Sequence, residues 1–358
     1  MDPTDDHERR LRAIGWRTPA TPLDVPAGQR LARVIAQHRN GYRLHDGSDE
    51  FGAQPAPRFL RRKADPLERP AVGDFVLVLE GAPPSIESVL PRRTLLSRAA
   101  AGERHARQVI AANIDTVFVL MGLDGDYNPR RVERYLVLIE GSGARPVVVL
   151  TKCDKVENAA QRHDELHAML PAVELHTINA KDAASVAPLL AHLQAGDTAV
   201  LVGSSGAGKS TLTNTLLGVQ RQAIGDVRAN DSRGRHTTTH RALILLPSGG
   251  CLIDTPGMRE LKLTGDEDLG AATFADIEAL ALQCRFGDCT HGNEPGCAVR
   301  AALDSGELDA QRWAAYLKLR DELAAASDAL EAQLKRKAVA RVANKALGKR
   351  LADKYGRR

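Results

Sequence analysis

The octapeptide Gly203-Ser204-Ser205-Gly206-Ala207-Gly208-Lys209-Ser210 fits the pattern G-x-x-x-x-G-K-[ST] at every fixed position. Its glycines let a backbone curl until successive N–H groups point inward at phosphate oxygens. Lys209 adds positive charge for β and γ phosphates, and the Ser210 hydroxyl is placed to ligate Mg²⁺. An apolar strand over 199–202 precedes the loop, and Thr211 opens a helical run to residue 217. The N-terminus of that helix adds partial positive charge of its own. Downstream, Leu252-Ile253-Asp254-Thr255-Pro256-Gly257 reads as a strand ending in Asp-x-x-Gly. A strand-end acid such as Asp254 holds the Mg²⁺ shell, and Gly257 can offer its N–H to the γ phosphate.

Between these motifs lies Gly234-Arg235-His236-Thr237-Thr238-Thr239-His240, a polar stretch with the position of a switch loop. A switch needs a threonine hydroxyl that reaches Mg²⁺ when the γ phosphate is present. Three stand in a row, and Thr238 is taken as the ligand. Met258 follows Gly257, where a glutamine commonly orients the attacking water. Methionine cannot do this. His236 is the nearest side chain with suitable chemistry, since an imidazole can hydrogen-bond water and titrates near neutrality.

Base selection needs an acceptor for the guanine N1–H and exocyclic amine, which adenine lacks. Thr151-Lys152-Cys153-Asp154 closes the apolar run 147–150 and is similar to the [NT]-K-x-D motif, with threonine where asparagine is commoner. Asp154 takes the bidentate bond from the base, and Lys152 packs along its plane. Asn179-Ala180-Lys181 follows the run 173–178 and is similar to the loop whose backbone N–H meets the base O6. Both base motifs precede the phosphate loop, the reverse of the usual order. The nucleotide domain is therefore circularly permuted, and the chain runs from Asp254–Gly257 directly into the segment that carries the next cluster.

That cluster is Cys284-x4-Cys289-x-His291-x5-Cys297. Three thiolates and one imidazole fill a tetrahedron with protein ligands, the chemistry of a structural Zn²⁺ rather than a catalytic one. Cys153 and Cys251 read as small buried residues.

The elements that hold these motifs follow from texture. Residues 1–28 are polar and proline-containing, an irregular lead-in. From 29 to about 91 short alternating runs with turn residues indicate a small β-barrel or sandwich, with 52–70 as a long basic loop. From about 114, apolar strands alternate with helical segments near 130–141, 158–170, 183–193 and 209–217, the pattern of a mostly parallel sheet covered on both faces. Helices are expected over 269–282 and from about 309. The organisation expected is a tail over 1–28, a barrel over 29–98, the nucleotide domain over 99–263, a helical zinc domain over 264–330 and a basic tail over 331–358. No leader-like segment opens the chain, and its apolar stretches are too short to span a bilayer. A soluble, cytoplasmic monomer without a membrane partner is the expectation.

The motif order, the short-stranded N-terminal region, the Gly234–Thr239 hexapeptide and the cysteine–histidine spacing together resemble the ribosome-small-subunit-dependent GTPase A family, over roughly residues 29–300. The resemblance implies a multidomain α/β protein: an N-terminal OB-fold, a circularly permuted P-loop GTPase domain and a C-terminal helical zinc domain. It implies GTP binding by Thr151–Asp154 and Gly203–Thr211, and Zn²⁺ binding by Cys284, Cys289, His291 and Cys297. It also implies GTP hydrolysis stimulated by the small (30S) ribosomal subunit, late in that subunit's maturation. The residues agree with an rRNA partner: Arg58, Arg61, Arg62, Lys63, Arg92, Arg93 and Arg98 are basic, and residues 331–358 carry ten Lys/Arg against Glu331 and Asp353. Two other readings are a small-molecule P-loop ATPase or kinase, and an RNA-binding module without hydrolysis. Thr151-Lys-x-Asp154 weighs against the first, and only Met258 speaks for the second.

Overall fold

Period-two alternation in the N-terminal region closes a barrel. Strands β1 (Gln29–His38), β2 (Gly41–His45), β3 (Glu50–Pro55), β4 (Phe75–Leu79) and β5 (Ser85–Val89) pair in the ring β1-β2-β3-β5-β4-β1. Every pairing in the ring is antiparallel except β3 with β5. This is the five-stranded OB-fold. Residues two apart share a face, so Ala32 with Val34 and Val76 with Val78 fill the interior beside Leu44 and Ile86. The computed structural model describes residues 3–18, 23–38, 40–61, 65–99, 107–218, 241–255, 269 and 273–355. His236, Thr238, Gly257 and Met258 lie outside them.

Two expectations in this region change. β3 lies partly inside the segment expected to be a loop, and residues Pro3–Ala13 of the lead-in form a helix, α1. Leu11 and Ile14, at the end of α1 and just beyond it, cover Leu31, Phe75 and Leu77 on the outer face of β1 and β4. Trp16 meets Phe75 edge-on, with ring centroids 4.8 Å apart.

Arg33 of β1 is fully buried. Its guanidinium donates to Gly73 O at 3.2 Å, Ile14 O at 2.6 Å, Thr198 Oγ1 at 2.9 Å and Asn113 O at 3.1 Å. Burial lowers its pKa, and these acceptors are what make the buried charge tolerable. Gly15 lies against it at φ +81°, where a Cβ would sit 2.0 Å from Arg33 Nη1, so no side chain fits. Arg92, read from the sequence as part of a basic surface, is instead committed internally. It grips the buried Asp74 carboxylate through Nε and Nη2, both at 2.7 Å, and donates to the carbonyls of Leu67 and Arg69. Arg58 and Arg61 remain exposed.

The second sheet follows from continuous apolar strands. β6 (Leu95–Ala99) and β7 (Arg107–Ala112) make a separate pair. β8 (Thr116–Gly122), β9 (Arg145–Thr151), β10 (Glu174–Thr177), β11 (Thr198–Gly203) and β13 (Cys251–Asp254) are parallel, while β12 (Ala242–Leu245) runs antiparallel to β13. Their order is β10-β9-β8-β11-β13-β12, and β12 meets β1 at Ala36 and Ala242, so barrel and sheet form one eleven-stranded sheet. All seven residues of β8 are buried, as expected for a strand covered on both faces. Helices α2 (Pro129–Glu140), α3 (Ala159–Met169) and α4 (Lys209–Leu216) lie between strands in the chain. The helix expected over 183–193 is instead one α turn, Ala183–Val186, then a 3₁₀ stretch, Ala187–His192. Pro188 lacks the N–H that a continuing α-helix requires there.

The chain divides into two compact units. One comprises Met1–Ser97, Gln108–Leu261 and Ala271–Thr273, and the other Arg98–Arg107, Lys262–Gly270 and Phe274–Arg358. The second unit carries α5 (Ala275–Ala281), α6 (Ala298–Ser305) and α7 (Ala310–Tyr355). The helix expected from 269 thus starts at Ala275. Arg312 of α7 grips Asp276 of α5 through Nε at 2.9 Å and Nη2 at 2.7 Å. Phe274 is fully buried against Tyr316, 5.4 Å between ring centroids. Beyond Leu319 no described side chain of α7 is buried.

Candidate nucleotide site and metal centre

Because β8, β9, β10, β11 and β13 are parallel, the loops that follow them emerge at one edge of the sheet, where α/β proteins bind ligands. The predicted groups Thr151–Asp154, Asn179–Lys181, Gly203–Ser210 and Asp254 are brought to that edge by strand direction alone. Gly203 has φ +143°, and a Cβ there would lie 2.4 Å from Leu120 O, so the loop leaves β11 where only glycine fits. Ser205 and Gly206 are exposed at its tip, while Ala207 is buried beneath. The Lys209 ammonium curls back and donates to Gly203 O at 2.7 Å and Ser204 O at 2.6 Å. Its pKa is lowered, first by burial, with Asp254 and Asp126 acting against the shift. Arriving phosphate charge would reinforce the protonated form.

Thr151 is fully buried, and its Oγ1 donates to Ala207 O at 2.7 Å. A threonine thus ties the base loop to the phosphate loop, from the position where asparagine is commoner. Lys152 is left-handed at φ +61°. Asp154 stands exposed after it, and Cys153 is half-buried rather than buried, unlike Cys251. In the second base loop, Asn179 Oδ1 accepts from Lys181 N at 3.1 Å, and Thr215 Oγ1 of α4 donates to Ala180 O at 2.6 Å. The Asn179 side chain therefore shapes its own loop. At the end of β13, Thr255 Oγ1 donates to Leu201 O at 2.6 Å, anchoring the chain just past Asp254. Ser210 is exposed in the first turn of α4. A serine hydroxyl with the Asp254 carboxylate is a hard-oxygen donor set suited to Mg²⁺.

Two residues at this edge escaped the sequence reading. The loop after β8 carries Asp124-Gly125-Asp126. Asp124 accepts from Lys152 Nζ at 2.6 Å, and that hydrogen bond is the first reason its carboxyl lies below the usual range. Asp126 accepts from Ser204 Oγ and from Arg131 Nη1. One acidic turn therefore holds both the base-loop lysine and the phosphate loop. The signal was an Asp-Gly-Asp directly after an apolar strand. Asp124→Ala should release Lys152 and weaken GDP binding by less than about tenfold, because the pair is partly exposed. Titration with a fluorescent GDP analogue measures this, and unchanged affinity would show that Asp124 does not position Lys152 for the base.

In the second unit, Cys284, Cys289, His291 and Cys297 bring their ligand atoms within 4.8 Å of one another. With Zn–S near 2.3 Å and Zn–N near 2.0–2.1 Å, a tetrahedron sets S···S at about 3.8 Å and S···N at about 3.6 Å. The observed spacings are 3.9 Å for Cys284–Cys297, and 3.5 and 3.6 Å from their sulfurs to His291 Nδ1. The four side chains fit zinc. Cys297 also caps α6, accepting from Arg300 N at 3.4 Å. His291 meets Trp313 edge-on, 5.7 Å between centroids.

Residues 89–264 match the profile of the RsgA GTPase family. A protein of Xanthomonas campestris pv. campestris (strain B100), named small ribosomal subunit biogenesis GTPase RsgA, is 55% identical over 343 residues, 92% of this chain and 93% of its own. The chain belongs to the RsgA GTPase family. A relative of the same name from Xanthomonas euvesicatoria pv. vesicatoria (strain 85-10) is 56% identical, again over 92% of this chain. Among solved structures, YloQ, described as a circularly permuted GTPase, superposes with a TM-score of 0.57 at 25% identity, covering 83% of this chain and 96% of its own. YjeQ from Thermotoga maritima shares the fold, with a TM-score of 0.59 at 24% identity over 82% of this chain and 98% of its own. The protein is thus a GTPase with a circularly permuted nucleotide domain. No helix among the described residues is long and apolar enough to cross a membrane.

Proposed function

We propose that this GTPase binds the small ribosomal subunit through its rRNA and assists late maturation of that subunit, hydrolysing GTP on subunit stimulation. The observation that carries the reading is near-full-length likeness to relatives named for small ribosomal subunit biogenesis. In this reading the Gly203–Ser210 backbone cradles the phosphates, Lys209 neutralises the β and γ groups, and Thr151–Asp154 with Asn179–Lys181 hold the guanine. Ser210, Thr238 and Asp254 hold Mg²⁺, which draws charge off the γ phosphate, and Gly257 senses that phosphate. Cys284, Cys289, His291 and Cys297 hold one structural Zn²⁺. The protein acts as a cytoplasmic monomer.

The deciding experiment measures GTP and ATP turnover with and without purified small subunits. GTP-selective turnover that rises with subunits supports the reading. Turnover indifferent to subunits, or equal with ATP, would overturn it. In the same assay His236→Ala should lower stimulated hydrolysis at least about tenfold, with GDP affinity unchanged, if its imidazole orients the attacking water. Equal turnover removes His236 from the mechanism.

The rRNA contact is assigned to exposed Arg58 and Arg61 on the barrel and to the basic end of α7. A helix of 46 residues extends roughly 70 Å, far beyond its packed first turns. Ten basic residues over 331–358 suit a phosphate backbone. Deleting 331–358 should weaken subunit binding and flatten the dependence of log K on log salt, as phosphate contacts are lost. A slope equal to that of the full chain would contradict this role.

A further inference from the structure

Away from the zinc cysteines, a second group of metal-type donors converges on β10. Glu174 and His176 are two apart on this strand and share a face. His192 ends the 3₁₀ stretch that precedes β11. One carboxylate oxygen, Glu174 Oε1, lies 2.8 Å from His176 Nε2 and 2.9 Å from His192 Nε2, and the three ligand atoms all fall within 4.8 Å of each other. The other oxygen, Oε2, accepts from Arg145 Nη2 at 2.6 Å, so both carboxylate oxygens are engaged. The His192 ring is held edge-on against Phe118, 5.7 Å between centroids. His192 is 10% exposed, His176 22% and Glu174 29%, so the group is restrained yet open to solvent on one side.

We propose that Glu174, His176 and His192 form a second divalent-metal site, selective for late first-row transition ions such as Zn²⁺, Ni²⁺ or Co²⁺. Two imidazole nitrogens with one carboxylate are a donor set for these ions and a poor one for Mg²⁺. Around Zn²⁺, bond lengths of about 2.0–2.2 Å place neighbouring N and O ligands about 3.4 Å apart. The observed pairs need open by only about half an ångström to admit the ion. Each imidazole binds through Nε2 once its proton resides on Nδ1, so the two hydrogen bonds to Glu174 give way to three metal bonds. Arg145 orients the carboxylate from behind, as partners of metal ligands commonly do. Three protein ligands leave the remaining position to water. The ion cross-links the edge strand β10 to the turn that feeds β11, and Glu174 begins β10, at the end opposite the Asn179–Lys181 loop. The site is therefore a removable staple of the GTPase sheet and no part of the nucleotide machinery.

The test uses the full chain equilibrated with micromolar free Zn²⁺ and analysed for bound metal. Two equivalents are expected, one lost to a mild chelator and one retained by the cysteine cluster. His176→Asn and His192→Asn should each bind a single equivalent, and Glu174→Gln should weaken the labile one at least tenfold. His167→Gln, a histidine of α3 outside the trio, should keep both. Loading the labile site with Co²⁺ after the cysteine site is filled with Zn²⁺ should give a spectrum without sulfur-to-metal charge transfer. Thermal unfolding of the wild type should shift upward with added Zn²⁺, while the histidine variants, matched to it without metal, should not respond. A wild type that binds one equivalent, or histidine variants that keep two, would overturn the assignment.

Discussion

Asp154→Asn should turn the nucleotide preference from guanine toward xanthine. The two donors of guanine, N1–H and the exocyclic amine, require an acceptor-only partner, and a carboxylate is one. Asparagine keeps one acceptor and presents an NH₂, which faces the guanine amine donor to donor. Hydrogen bonds to a charged group contribute about 1.5–3 kcal/mol each, so turning one into a neutral bond and the other into a donor–donor opposition lowers GTP affinity by roughly 10²–10⁴-fold. In xanthine the amine is replaced by a carbonyl, which accepts from the new NH₂, so XTP should gain what GTP loses. The substitution leaves the neighbouring architecture alone. Thr151 still ties Ala207, and Lys152 still reaches Asp124, because neither contact involves the exposed Asp154 side chain. Competition of GTP and XTP against a fluorescent GDP analogue reads the change. Unaltered GTP affinity would remove Asp154 from base recognition, and loss of GTP binding without a gain for XTP would point to a damaged fold.

The rule that separates what could be read from the sequence is local against long-range. The parallel strands were legible because each is a continuous apolar run closed by a motif residue, and their shared direction then places every loop at one edge. The permuted order was legible for the same reason, since the motifs carry their own identity wherever the chain is cut. β3 was obscured because Gly52 and Pro55 look like loop punctuation, although edge positions in a small barrel tolerate both. Helix α1 was obscured because most of its residues are polar, and its few apolar contacts are useful only once the barrel's outer face exists to receive them. Arg33 and Arg92 mark the sharper limit. In the sequence each is one more basic residue, and only the fold shows Arg33 buried among four acceptors and Arg92 locked on Asp74. Asp124 and Asp126 belong to the same class, because their partners Lys152 and Ser204 lie 28 and 78 residues away.

Cys297→Ser should unfold the small helical unit around α5 and α6 while sparing nucleotide binding. Cys297 caps α6, accepting from Arg300 N, and under the proposed function it is also one of the four zinc donors. Serine retains the capping function but offers no thiolate, so this exchange isolates the metal contribution. Apparent zinc binding in small structural sites is worth about 10–16 kcal/mol near neutral pH, and it is folding free energy when no site exists in the unfolded chain. The alternative support is slight: among the described residues of this unit, the buried apolar groups besides Cys297 are Leu269, Phe274, Ile277, Val299, Ala302, Leu308, Tyr316 and Leu319. A core of that size cannot replace the ion. In a Trp16→Phe background Trp313 is the sole indole, and it sits against His291 of the cluster. Its emission should shift to the red in Cys297→Ser, or in the parent protein after a strong chelator, as helicity falls. Fluorescent GDP should still bind with parental affinity, because the phosphate and base loops lie in the other unit. Retention of the chelator-resistant zinc equivalent, or native Trp313 emission after its removal, would show that the cysteine cluster does not hold this unit together.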